Sequence, residues 1–412
     1  MHYRSRSSAP WLHSLVVAAL FFAGTLVQAA PAGDPVEAKL KVAVRGNRLI
    51  DANGDVLQLR GVNVSALEFV SVQGWSTDPW GGHKPDLKAI KAWRANALRV
   101  PLNSASYLGL TTYDLNGKTR NPDPGGNYKT TVRKLVDEAT ALGLYVILDL
   151  HKQAPKATVK GMKEKVSIAP VSSAQNEMAD LDHSLDFWKA IATDYKSYGN
   201  VLFGLFNEPH ADNFEMPRDV SDPKLAGWKI LRDGGTGKIF YGADAVIQQP
   251  WQSAGMQAML DAVRATGATN VVLVAGISWD QDLSHWVAYA PKDPLQQMAC
   301  EWHAYPKYGA AYGTPEYTQP GLGSVTYDWA EAILAAGYPI VIGETGDQSA
   351  AGTKTAPFLD VVLPWADKHQ VSVLGWSWNA WNAPSADLIK DASGTPTDGY
   401  GARFREWLVK HP

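Results

Sequence analysis

Two glutamates stand where an apolar run stops: Glu208 ends VLFGLFNE and Glu344 ends PIVIGE. Other polar residues end apolar runs in the same way. Arg99 lies in ANALRVP, His151 closes LYVILDLH, Asn207 precedes Glu208, His303 and Tyr305 follow CEW, and Trp378 sits in SVLGWSWN. A satisfied polar residue near a loop explains any one of them as well as function does, but it does not explain their common placement. Two carboxylates at the mouth of one pocket are what glycosidic cleavage needs: one protonates the leaving oxygen while the other attacks the anomeric carbon or activates water. Signatures of other chemistries are missing from the sequence, which has no Gly-x-Gly-x-x-Gly loop after its first strand, no Ser-His-Asp pattern and no His-Glu-x-x-His zinc spacing. The chain also carries 16 Trp and 16 Tyr, several of them just past the apolar runs: Trp75, Trp80, Trp279, Tyr308, Tyr312 and Tyr317. Aromatic faces stack on sugar rings, and indole and phenol groups add hydrogen bonds.

Something must carry these residues to one place. Short apolar runs at 59–65, 97–102, 144–151, 201–208, 270–277, 297–303, 339–344 and 371–378 read as eight strands. Helical patterns separate them; Val132, Leu135, Val136, Ala139 and Leu142 share one face, and Gly143 stands where that helix should end. Continuous apolar strands alternating with helices predict a parallel sheet covered by helices, and eight such units favour a single (β/α)8 barrel over an open doubly wound sheet. Its site would lie at the C-terminal strand ends. Residues 42–64 read as an N-terminal β-hairpin about the turn 51–55 running into strand 1.

Alternation along the strands sorts the faces. It places Glu344 above Ile340 and Ile342 in the barrel, groups Glu301 with His303 and Tyr305, and sets Trp376 one layer below Trp378. Cys300 and Trp302 then point outward, and Asp149 lies beneath His151 as a buried hydrogen-bonding residue. Two long loops, 152–180 and 210–250, are expected to shape substrate preference. The first contains Lys152, Lys156, Lys160, Lys163 and Lys165, read as a solvated face.

In their order along the strands, three segments resemble those of family-5 glycoside hydrolases, the cellulase family of the large clan of (β/α)8 retaining glycosidases. They are Gly204-Leu205-Phe206-Asn207-Glu208-Pro209, Glu301-Trp302-His303-Ala304-Tyr305 and Ile342-Gly343-Glu344-Thr345-Gly346, preceded by Leu98-Arg99-Val100-Pro101 and Asp149-Leu150-His151. The resemblance covers essentially the whole mature chain. It implies Glu208 as acid/base and Glu344 as nucleophile, Asn207 on the sugar 2-hydroxyl, Arg99 and Tyr305 holding the nucleophile, and His151, His303 and Trp378 shaping the cleavage subsite. Glu301 adds a third inward carboxylate to which the resemblance assigns no role.

Residues 1–29 combine Arg4 and Arg6 with an apolar stretch and a small-residue step at Ala29, a cleavable signal pattern; 30–412 form the catalytic domain. The expected location is secreted or periplasmic, with no membrane attachment after cleavage. A net charge of −3, more acidic once the leader's arginines are lost, argues against a nucleic-acid partner. The lone Cys300 excludes an intrachain disulfide. The expected molecule is a monomer without cofactor or metal, hydrolysing a β-linked polysaccharide or oligosaccharide with retention, endo-acting on β-1,4-glucan. Mannan or another β-glucoside on the same site, a barrel that only binds sugar, and a metal-dependent hydrolase using Asp149, His151 and His303 are the alternatives.

Overall fold

Eight strands close on themselves: β1 (Arg60–Asn63), β2 (Ala97–Asn103), β3 (Tyr145–Lys152), β4 (Val201–Gly204), β5 (Val272–Ala275), β6 (Met298–Ala304), β7 (Ile340–Thr345) and β8 (Ser372–Gly375). Each pairs in parallel with the next, and β8 pairs with β1. Helices connect successive strands along the outside, as the (β/α)8 reading expects. The structure, a computed structural model, describes residues 40–411 apart from 115, 169–176, 240–248, 321–326, 348–353 and 382–385, so the leader expected over 1–29 lies outside the described residues. Among the described residues no helix is long and apolar enough to cross a membrane.

The helix Tyr128–Ala141 shows why the pattern was readable. Val132, Leu135, Val136 and Ala139 are buried on one face, and Gly143, at φ 72°, takes the left-handed conformation that ends the helix. Cys300 and Trp302 do point outward, with Trp302 edge-on to Tyr327 and Trp365 of the helix layer.

The N-terminal hairpin differs from expectation. Ala43–Arg45 pairs with Ile50 back to Arg48, so the chain reverses at Gly46–Asn47 rather than at 51–55. The later turn exists too: Asp51 accepts from the backbone N–H groups of Asn53 and Asp55, and Ile50 meets Val56 in an isolated bridge. Val42 and Leu49 from this region join Leu59, Ala97, Tyr145, Ile147, Leu202, Leu273, Ala299, Val341 and Leu374 in an apolar plug that fills the lower barrel.

That plug corrects the expected facing of β7. Val341 faces in, while Ile340 and Ile342 pack outward in the cluster shared with the helices. Pairing with β6 slips by one residue: Trp302 lies opposite Ile342, but His303 lies opposite Glu344. Gly343 is the extra residue, and this bulge turns Glu344 to the inside despite its shared parity with two outward isoleucines.

Two predicted strands also stop early. β4 ends at Gly204, four residues before Glu208, and β8 ends at Gly375. The long loops carry structure of their own, a pair Lys156–Ala157 and Val166–Ser167 in the first, a helix Pro223–Asp233 and a pair Thr236–Ile239 and Gln249–Gln252 in the second. Thr158 and Gln249 tie the two loops together.

Candidate active site

Above the apolar plug the inward positions become polar: Arg99 on β2, Asp149 on β3 and Glu301 on β6, all fully buried. Space for them comes from glycines on neighbouring strands. A Cβ on Gly204 would stand 3.2 Å from Asp149 Oδ1 and 3.3 Å from Glu301 Oε2, and one on Gly343 would collide with Glu301 Oε1. The bulge glycine thus both turns Glu344 inward and admits Glu301.

Arg99 ties this layer together. Nε donates to Glu301 Oε1 at 2.9 Å, Nη1 to Glu344 Oε1 at 2.8 Å and to Asn63 Oδ1 at 3.1 Å, and Nη2 to Asn207 Oδ1 at 2.9 Å, with Asp149 Oδ2 at 3.2 Å. A rigid planar fork suits such a ring of acceptors; a lysine would not. Burial opposes the charge, but Asp149, Glu301 and Glu344 outweigh it and hold the guanidinium protonated above its ordinary range. Glu301 therefore has a role that sequence did not disclose: it is a buried counter-ion for the arginine that holds Glu344.

Glu344 receives Arg99 on one oxygen and Tyr305 Oη, at 2.9 Å, on the other. The sequence reading has Arg99 keeping this carboxylate ionised. Arg99 and His303 do pull its pKa down, but burial is the larger influence and the net displacement is upward. Glu208 sits in the loop after β4 with φ 49°, a left-handed conformation that costs a non-glycine residue of order 1 kcal/mol. The backbone N–H of Asn207, bonded to Leu150 O at 3.1 Å, anchors that loop. Glu208 Oε1 lies 3.0 Å from His303 Nδ1. One oxygen of Glu208, a ring nitrogen of His303 and one oxygen of Glu344 lie within 4.8 Å of one another. Both carboxyl groups therefore border one small space, as paired glycosidase carboxyls do.

His303 is fully buried. Burial disfavours its charge, yet the nearby carboxyl groups of Glu344, Glu208, Glu301 and Asp280 outweigh it and displace its pKa well upward. His151 goes the other way: burial, helped by the charges of Lys152, Arg99 and His303, pushes it well down. Its Nδ1 shares a hydrogen bond with Asp149 Oδ2 at 2.9 Å, and the ring stacks on Trp376 at 5.7 Å between ring centres.

Trp378 does not take the place expected of it. It is 4% exposed and packs edge-on against Trp93 at 4.7 Å, beneath Gly394, in the outer core. Trp376 is the indole beside His151. Strand alternation does not reach this far, because β8 ends at Gly375; the backbone N–H of Trp378 then bonds Asn63 O at 2.8 Å, a loop path with no period of two.

The structure brings Arg99, His151, Asn207, Glu208, His303, Tyr305 and Glu344 together and leaves Trp378 out. It adds residues the sequence reading passed over. Of the lysines expected on a solvated face, Lys160, Lys163 and Lys165 are exposed. Lys152 instead turns inward, where burial lowers its pKa against the charges of Glu68, Glu208 and Glu344. Glu68 is buried in the loop after β1, where it accepts from Ser65 Oγ and from the N–H of Ala66, and burial lifts its pKa to about 7. Asn63 carries a sequence signal, as the one amide inside the run 59–65. Asp280 carries none; it sits in a loop of three left-handed residues, 278–280, beyond any periodic signal.

Of the loop aromatics, Trp80 and Tyr317 are buried, the latter donating to Asp347. Trp75 is 66% exposed and, with Phe69, His83 and Trp381, lines a cavity of about 500 Å³. Trp279 stacks on His210 at 4.4 Å and donates its backbone N–H to Pro209 O, next to Glu208. Side-chain groups close enough to share a cation, among the described residues, are Glu208–His303–Glu344 and Asp280–Glu301–His303. Neither contains the Asp149 and His151 of the metal-dependent alternative, which are committed to Arg99 and to each other.

Comparison with known proteins agrees with this fold. The family model described as Cellulase (glycosyl hydrolase family 5) matches residues 50–382. The chain is 22% identical over 369 residues to an endoglucanase from Clostridium saccharobutylicum, covering 87% of this chain and 61% of that protein. It is 22% identical over 381 residues to a mannan endo-1,4-beta-mannosidase from Streptomyces lividans, covering 88% and 73%. The chain spans about half to three-fifths of the length of the first relatives it matches. A beta-glucanase from Saccharophagus degradans in complex with cellotetraose has the same fold, with TM-score 0.57, 21% identity and coverage of 92% of this chain and 97% of that one.

Proposed function

The chain belongs to glycosyl hydrolase family 5, the cellulase family, and from that premise we propose that it is a retaining endo-β-glycosidase acting on a β-1,4-glucan, with Glu208 as acid/base and Glu344 as nucleophile. One observation carries the reading: a partly exposed glutamate from the loop after β4 and a buried, arginine-held glutamate from β7 reach the same imidazole ring, within 4.8 Å. Glu344, fixed by Arg99 and Tyr305, attacks the anomeric carbon as Glu208 protonates the leaving oxygen. Glu208 then takes a proton from the water that releases the glycosyl group from Glu344. Trp376, beside His151, supplies the apolar surface under the sugar being cleaved, and Asn207, held by Arg99, faces its 2-hydroxyl.

Trp75 and Trp381, which line one cavity, and Trp279, beside Pro209, offer stacking faces for sugars other than the one being cleaved, which supports endo action. Mannan is the second reading, favoured by the mannosidase among the relatives. The basic and apolar leader at 1–29 supports export, to the periplasm or the medium. Proton NMR of the first product from purified β-1,4-glucan oligosaccharides is expected to show the β-anomer before mutarotation; initial α-anomer would overturn double displacement. The same panel run on mannan decides between the two substrates by relative kcat/KM.

A further inference from the structure

Behind the catalytic pair lies a buried acidic group that the reaction outlined above does not use. Asp280, fully buried in the loop after β5, directs Oδ2 at Nε2 of His303 from 3.7 Å. Glu301 Oε1 approaches the same nitrogen to 3.8 Å. Neither Asp280 Oδ2 nor His303 Nε2 has a hydrogen-bond partner among the described residues, and burying either without one is unfavourable by about 1–3 kcal/mol. Other contacts fix their relative placement. The backbone N–H of His303 donates to Asp280 O at 2.9 Å, and the other Asp280 oxygen accepts from the N–H of Gly276. On the far side of the ring, Nδ1 is 3.0 Å from Glu208 Oε1 and 3.6 Å from Glu344 Oε2.

We propose that Asp280 is a positioning residue for the acid/base: with Glu301 it holds the Nε2 proton of His303, so that the ring stays doubly protonated and aims Nδ1–H at Glu208. A contraction of under about 1 Å completes the Asp280–His303 hydrogen bond. His303 neither gives nor takes a proton during turnover; its charge stabilises Glu208 once that residue has passed its proton to the leaving group. The groups facing the ring are Glu208, Glu344, Glu301 and Asp280, with Arg99, Asp149 and His151 in the layer beside it, so acidic groups outnumber basic ones, although burial displaces the pKa values of Asp280 and Asp149 well upward. The upward displacement of the His303 pKa agrees with this surplus.

This inference rests on the assignment of Glu208 as acid/base, but its test separates the two. In protein labelled with 15N-histidine, both ring nitrogens of His303 are expected to remain protonated at pH 7, where an ordinary imidazole is mostly neutral. In Asp280→Asn, which keeps the volume and the acceptor for Gly276, the ring is expected to deprotonate at least one pH unit lower. The alkaline limb of kcat/KM should move down with it while KM stays within twofold. His303 found neutral at pH 7 in the unaltered protein, or titrating alike in both proteins, overturns the proposal whether or not the variant folds. Ring protonation as expected in a protein that cleaves no β-glycoside would leave the Asp280–His303 pairing standing and remove the functional reading instead.

Discussion

At the scale of single residues, the two glutamates differ in what holds them, and this makes their roles separable. Glu344 is clamped by Arg99 and Tyr305, whereas Glu208 touches His303 from a partly open loop. Glu208→Ala keeps its nucleophile, so an activated aryl β-glycoside should still glycosylate Glu344 and then stall, with turnover of poorer leaving groups reduced about 10²–10⁴-fold. Added azide should release a β-glycosyl azide. In Glu344→Ala azide should attack the substrate directly and give the α-glycosyl azide, so product NMR that shows the reverse pairing exchanges the two assignments. The tryptophans make a second contrast. Trp376→Ala should cut kcat/KM at least tenfold with little change in thermal unfolding. Trp378→Ala empties a core position against Trp93 and should lose about 3–5 kcal/mol of stability by denaturant unfolding. Equal stability of the two variants would return Trp378 to the site.

At the scale of the element, the decisive feature is the bulge on β7. Strand alternation continued without it would send Glu344 outward with Ile340 and Ile342. Gly343 makes the bulge and also vacates the volume into which Glu301 projects. Gly343→Ala should therefore displace Glu301 from Arg99, loosen the clamp on Glu344 and lower kcat by at least tenfold, at a stability loss of about 1–3 kcal/mol. Pairing Gly343→Ala with Glu301→Ala tests the cause: relief of the clash should recover stability but not activity, and additive losses in stability would show that the glycine matters for another reason. The glycine of β4 works similarly, since Gly204 faces both Asp149 and Glu301. A polar barrel layer of this density requires neighbours without side chains.

For the molecule as a whole, acids buried above the apolar plug make stability depend on pH in a definite direction. Burial raises Glu68 from 4.5 to about 7 and Asp180 from 3.8 to about 6, so the folded chain binds these protons more tightly than the unfolded one. Their contribution is complete below the unfolded values and is lost as pH rises through the folded values. Glu68 alone accounts for about 3 kcal/mol across that window. Thermal unfolding should therefore occur several degrees lower at pH 8 than at pH 5, with a smaller fall in Glu68→Gln; an unchanged slope in that variant would exonerate Glu68.

What sequence alone determined about this protein is the periodic part. Apolar runs and helical stripes specify eight alternating units, and the residues that end the runs, Arg99, His151, His303 and Glu344 among them, must gather at one end of a closed parallel sheet. Tertiary structure decided everything that depends on a break in period: which way Glu344 faces, which of Trp376 and Trp378 meets the site, that Lys152 turns toward it, and that Glu68 and Asp280 are buried beside it. Periodicity reports only what regular backbone does, whereas a bulge, an early strand end or a left-handed loop is selected by packing between segments far apart in the chain.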